Sequence, residues 1–182
     1  MGSDSSEDIR LIERDLYREN QSAFIASLPQ LSPNTRVLHL DYLYSPQERV
    51  ELWRDQDAEA IDELAILYAG YRRQKPGTIE RYGKSIGYET TFTHISNPKD
   101  IQQAGLELTK FFDRVEAETY PTLVFVDSLS AMLQYVSLND TVRFTRECLS
   151  LFERYGTVGR FSFTPQIHTA KTIDTIRDLF SA

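Results

Sequence analysis

The 182-residue chain is short of several things. It has one cysteine, Cys148, so an internal disulfide and a cysteine-based zinc site are both excluded. Cys148 falls in an apolar-periodic stretch and reads as a small core residue. No apolar run is long enough to span a bilayer, and no N-terminal signal pattern is found, so a cytoplasmic protein without membrane attachment is expected. Lysine is scarce: the 20 Lys plus Arg are mostly arginine, against 27 acids. The net charge of −7 gives long-range attraction to phosphate the wrong sign, so DNA is not expected as the primary ligand. An acid surplus with little lysine suits a salty cytoplasm, and an ordinary acidic protein can show the same bias. Only 8 glycines are present, and they do not form a phosphate-binding loop of ordinary spacing.

What is present is globular: 41% hydrophobic residues and 12% aromatic. The length fits one domain with a sizeable core. Residues 1–8 are polar and read as a disordered tail, leaving 9–182 as a single α/β domain. "IRLIERDLYREN" predicts a first helix with Ile9, Ile12 and Leu16 on one face. "SAFIAS" and "RVLHLDYLY" predict strands. "SPQERVELWRDQ" predicts a helix capped by Ser45 with Pro46 at its first position. "DAEAIDELAILYAG" fits either a continued helix or a buried strand at "LAILYAG", and Gly70 at its end with the continuing α/β alternation favours the strand. "YRRQKPGTIERYGKSIGYE" reads as a long polar loop and "TTFTHIS" as a strand. Asn97 and Pro98 open the strongest helix, striped by Ile101, Ala104, Leu108, Phe111, Phe112 and Val115. The strand "TLVFVDS", the short helix "LSAMLQY", a helix ending at Gly156, the strand "RFSFTPQ" and a closing helix follow. This alternation predicts a mostly parallel sheet covered on both faces, with ligands expected beyond the carboxyl ends of the strands. Asp127 and Asp41 stand at two such ends.

An acid at the tip of a buried strand can hold magnesium beside phosphates. The plainer role is local, with Asp127 or Ser128 capping "LSAML". A magnesium-phosphate site also needs a phosphate loop. The nearest match is "GTIERYGKS", but it has five residues between its glycines, a bulky interior and a strand after it instead of a helix. "YRRQKPGTIERYGK" gathers Arg72, Arg73, Lys75, Arg81 and Lys84, a positive island in an acidic chain that could take an anion or an acidic partner, or stay a solvated loop. His39, His94 and His168 show no ligand spacing, and the first two read as packed strand residues. Ser128 with His168 lacks the G-x-S-x-G elbow of a hydrolase.

"LVFVDSLSAMLQY" with "VRFTRECLSLFERYGTVGRFSFTPQIHTAKTIDTIRDLF" resembles the C-terminal half of the KaiC-like branch of the RecA superfamily. The likeness extends to "RVLHLDYLYSPQERVELWR" and "SNPKDIQQAGLELTKFF". A group of haloarchaeal, sensory-transducer-like proteins is the more specific resemblance. It implies a RecA-like three-layer sandwich in which the acid matching Asp127 would serve a magnesium site. The phosphate loop and catalytic glutamate are missing. The expectation is therefore a degenerate, non-catalytic domain with no cofactor, acting in regulation or signal transduction through unidentified protein partners. RecA relatives often form rings or filaments, so homo-oligomerisation is a further expectation. The alternative is an ATPase-like enzyme that binds ATP and magnesium through Asp127 and an anion site of Arg72, Arg73 and Lys84.

Overall fold

The computed structural model describes residues 8–15, 28–116 and 120–181. They form an α/β three-layer sandwich around a six-stranded, all-parallel sheet, in the order β1-β6-β5-β2-β3-β4. The strands are β1 (Ile9–Glu13), β2 (Thr35–Asp41), β3 (Ile61–Ala69), β4 (Thr90–Ile95), β5 (Thr122–Asp127) and β6 (Val158–Phe163). The α-helices among the described residues are α1 (Pro46–Glu51), α2 (Pro76–Ser85), α3 (Ile101–Glu116), α4 (Leu129–Met132), α5 (Leu138–Arg154) and α6 (Ala170–Asp178). None of them is long and apolar enough to cross a membrane.

Central β5 is buried at all six positions, as a strand covered on both faces must be. Val124 and Val126 pack with Phe161, Phe163, Phe112 of α3, Phe152 of α5 and Ile176 of α6. Leu123 and Phe125 face the other layer, with Val50 of α1, Trp53 and Ile79 of α2. Cys148 is buried in the first of these cores, as its spacing implied.

The first predicted helix is corrected. Residues 9–13 form β1, paired in parallel with β6 from Ile9 opposite Gly159 to Glu13 opposite Phe163. The segment fits both periods: Ile9 and Ile12 are three apart, while Ile9 and Leu11 alternate onto the α5–α6 core. A free sheet edge supplied the backbone partners, and tertiary pairing prevailed. Residues 16–20 of that segment and the strand expected at 22–27 lie outside the described residues. At the end of the expected tail, the Asp8 carbonyl accepts from Gly159 N–H at 2.9 Å and from the Arg160 guanidinium at 2.7 Å.

The long polar loop is also corrected, because Pro76–Ser85 is helical. Pro76 opens it, and Ile79 and Gly83 are its buried positions. Three glycines made the segment look irregular, yet each falls where a helix tolerates or uses it. Gly77 is in the first turn, Gly83 faces β4, and Gly87 follows the last turn with φ of 100°. At α3 the expected cap shifts by three residues. Asp100 accepts from Gln103 N–H at 2.9 Å, while Asn97 closes a turn onto Lys99 N–H at 3.1 Å. At α1, Ser45 and Glu48 form a reciprocal capping box.

Candidate functional site

Register brings the two strand-end acids together. Asp41 and Asp127 end β2 and β5 and are in-register neighbours, both fully buried. Two adjacent buried carboxylates would repel, so the site depends on what lies between them. Arg49 fills that position. Helix α1 starts just after β2 and buries Arg49 and Val50, and Trp53, just past the helix and four residues on from Arg49, is buried as well. The Arg49 guanidinium donates to both Asp41 oxygens, from Nε at 3.1 and 2.9 Å and from Nη2 at 2.6 Å. Nη2 also reaches Asp127 Oδ2 at 2.6 Å. Arg14, one residue past β1, donates to the same Oδ2 at 2.6 Å and to the Tyr44 hydroxyl at 3.0 Å. The hydroxyl of Ser162 on β6 donates to Asp127 Oδ1 at 2.6 Å. The Tyr44 ring lies 4.9 Å from the Arg49 guanidinium carbon and 5.6 Å from that of Arg14, at cation–π distances.

Two acids and two guanidiniums therefore cancel inside the sheet's carboxyl end. Burial pushes the Asp127 carboxyl up, but Arg49, Arg14 and the Ser162 hydroxyl outweigh it and hold the group below the usual carboxylate range. Asp41 goes the other way. Burial dominates over Arg49, the Asp127 charge adds to it, and Asp41 is raised to about 6. Burial works against the Arg49 charge, yet Asp41 and Asp127 more than restore it.

A carboxyl whose folded pKa is raised stabilises the fold below that pKa and loses the contribution as pH rises through it. His39 has the opposite sign: burial, then Arg49, keeps it neutral far below its ordinary range, so acidification weakens the fold through it. Comparison with Asp41→Asn isolates the Asp41 effect. The stability of the wild type relative to Asp41→Asn is expected to rise by about 1 kcal/mol between pH 7 and pH 5. Urea midpoints at the two pH values measure it, and a constant difference would contradict the raised pKa.

Asp127 does not cap α4. Ser128 does, with its Oγ accepting from Ala131 N–H at 3.0 Å. The Asp127–Ser128 peptide is cis. Asp127 has both oxygens engaged by protein donors, and a cation there would face two guanidiniums. Among the described residues no group of three or more His, Cys, Asp and Glu side chains could hold a metal ion.

The expected anion residues do not converge. Arg72 and Arg73 are exposed just past β3, at the carboxyl end of the sheet, and Arg72 lies close enough to Glu48 to help lower its pKa. Lys84 is in the last turn of α2, eight residues beyond Pro76 and so about 12 Å along the axis toward the start of β4. Gly83-Lys84-Ser85 thus occupies the negative end of a helix, opposite in sign to a phosphate cradle.

Each histidine has a hydrogen-bond partner within the fold. His39 Nε2 accepts from Trp53 Nε1 at 2.8 Å and stacks on Phe125. His94 Nε2 is 2.8 Å from the Gly70 carbonyl. His168 meets Ser130, not Ser128, at 2.8 Å, and Ser130 Oγ also accepts from Thr164 N–H at 2.8 Å, tying the β6–α6 connection to α4.

Sequence reading missed Arg14, Arg49, Tyr44 and Ser162. Arg49 left a usable signal, a cation next to Val50 and four residues before Trp53 on an apolar helix face. Arg14 left none, since it follows a segment whose strand character was hidden.

The matched region, residues 26–182, contains Asp41, Arg49, Asp127 and Ser162 and matches a family of unknown function, DUF7504. The chain belongs to the DUF7504 family. No curated protein matches it in sequence. Among solved structures, the DUF7504 chain is similar to PH0250 from Pyrococcus horikoshii OT3, with a TM-score of 0.53 and 12% identity over 94% of this chain and 78% of that one. At that identity the likeness supports the three-layer fold alone. An NADH-dependent reductase A1-R' complexed with NAD aligns with a TM-score of 0.44 and 10% identity over 71% of this chain and 59% of that one, too loosely to bear on the fold.

Proposed function

We propose that this DUF7504 protein is a non-catalytic RecA/KaiC-like domain that acts in regulation or signalling through protein contacts, not through nucleotide hydrolysis. The observation that carries this reading is the occupation of Asp127. Its Oδ2 receives Arg14 and Arg49 and its Oδ1 receives Ser162, all at 2.6 Å. A magnesium-phosphate site needs that carboxylate to face water and a divalent ion. Here the chain's own cations neutralise it and fasten β1 and α1 to β5, while the Ser162 hydroxyl ties in β6. The acid is retained as an internal tie between segments.

Equilibrium dialysis with labelled ATP and magnesium tests the reading. No saturable binding is expected for the wild type. Saturable, magnesium-dependent binding that Asp127→Asn abolishes while the protein stays folded would overturn it.

A further inference from the structure

We infer that β4 is a pairing edge that takes β4 of a second copy, antiparallel about a two-fold axis through Phe92, joining two six-stranded sheets into one. Among the described residues β4 pairs with β3 only and ends the sheet. Two backbone bonds fix which of its groups are free to pair further. Leu64 N–H reaches the Glu89 carbonyl at 2.8 Å, and Gly70 N–H reaches the Ile95 carbonyl at 3.1 Å. With unbroken parallel register between them, Thr91, Thr93 and Ile95 turn their main-chain groups toward β3. Thr90, Phe92 and His94 therefore present N–H and C=O outward.

Sheet edges are ordinarily guarded by charge, proline or a bulge. The opposite edge is: β1 carries exposed Arg10 and Glu13. β4 reads Thr-Thr-Phe-Thr-His-Ile, with no charged residue, no proline and no register shift against β3. It is rich in β-branched and aromatic residues, which suit a paired strand.

The occupant follows from the symmetry of the strand itself. Thr-Phe-Thr is palindromic about Phe92. A two-fold there sets Phe92 opposite its own copy and Thr90 opposite His94, each pair exchanging two N–H···O bonds. Thr91 falls opposite Thr93 on the α3 side, and no like charges meet. On that side a groove of about 280 Å³ is lined by Thr91, Thr93, Leu67 and Phe111, with Lys110 and Arg114 of α3 at its rim. A strand pair by itself buries less than the roughly 1,200 Å² of a stable interface. The joined grooves extend the contact.

Sedimentation equilibrium on the full chain tests this with two charge variants. The wild type is expected to be a dimer. T91K/T93K places lysine opposite lysine twice and is expected to raise the dimer dissociation constant about 100-fold or more. T91K/T93E places lysine opposite glutamate twice and should recover dimerisation. Both variants carry lysine at position 91, so recovery reports the cross-axis register and not the loss of threonine. Circular dichroism confirms that each variant is folded. A monomeric wild type, or a T91K/T93K variant that dimerises as the wild type does, would overturn the inference; in the first case the edge would be left to a strand of another protein.

Discussion

Asp127→Asn is expected to lower folding stability by about 3–5 kcal/mol, the usual consequence of removing one partner from a buried ion pair. The substitution keeps the shape of the side chain and removes only its charge. Arg14 and Arg49 would then share the single carboxylate of Asp41, leaving a net positive charge where no solvent reaches Arg49. An asparagine NH2 would also point a donor at Arg49, Arg14 or the Ser162 hydroxyl, all of which now donate to the carboxylate. Folded domains hold only about 5–15 kcal/mol in total, so urea unfolding will register the change plainly. The sign separates the two readings of this acid. At a magnesium site, neutralising the carboxylate relieves repulsion in the unloaded protein and leaves stability unchanged or raised. In an internal tie it weakens the fold. Adding Arg14→Met restores neutrality, so the double variant is expected to recover part of the loss, and a double-mutant cycle reads the coupling directly. Asp127→Asn with wild-type stability would remove the basis for a neutralised cluster.

The parts of this fold that were legible in the sequence are those set by local pattern. "LVFV" is apolar on both faces and became a central strand, and the β2 and β3 runs did likewise. The Ser45 cap and the α5 stop near Gly156, with φ of 59°, followed from residue types whose backbone preferences are strong. Illegible parts depended on distant partners. β1 is a strand because β6, about 150 residues later, offers it an edge. The tips of β2 and β5 could be read as acidic, but their chemistry could not. The groups that decide it come from positions 14, 49 and 162, brought together only by sheet order. The same holds for the basic island. Five cations within fourteen residues look like one patch in a loop, and a helix in the middle carries Lys84 away from Arg72.

Gly83→Ala is expected to lower stability by about 1–3 kcal/mol, although alanine is the better helix former by about 1 kcal/mol. Gly83 belongs to the Gly-Lys-Ser tripeptide that most resembles a phosphate loop. Its missing side chain serves packing instead. A Cβ there would stand 1.9 Å from Thr90 Oγ1 and 2.6 Å from Thr90 Cβ. The joint has little room to yield. Thr90 is buried at the start of β4, and the Gly83 carbonyl accepts from Tyr88 N–H at 3.0 Å and Ile86 N–H at 3.1 Å. Separating α2 from β4 would therefore strain the turn between them. Gly77, the other glycine of the same apparent loop, has open space: a Cβ there meets only the Arg81 guanidinium, at 3.8 Å. Gly77→Ala should leave stability unchanged or raise it by about 0.5 kcal/mol. Thr90→Ala removes the nearer clash and keeps the farther one, so the Gly83→Ala/Thr90→Ala double variant should regain only part of the loss. Thermal and urea unfolding of the four proteins measure the pattern. Equal tolerance at Gly77 and Gly83 would mean that helix and strand do not meet at this glycine. Unequal tolerance identifies the Gly-Lys-Ser sequence as a helix–sheet contact, with no nucleotide needed to explain its glycine.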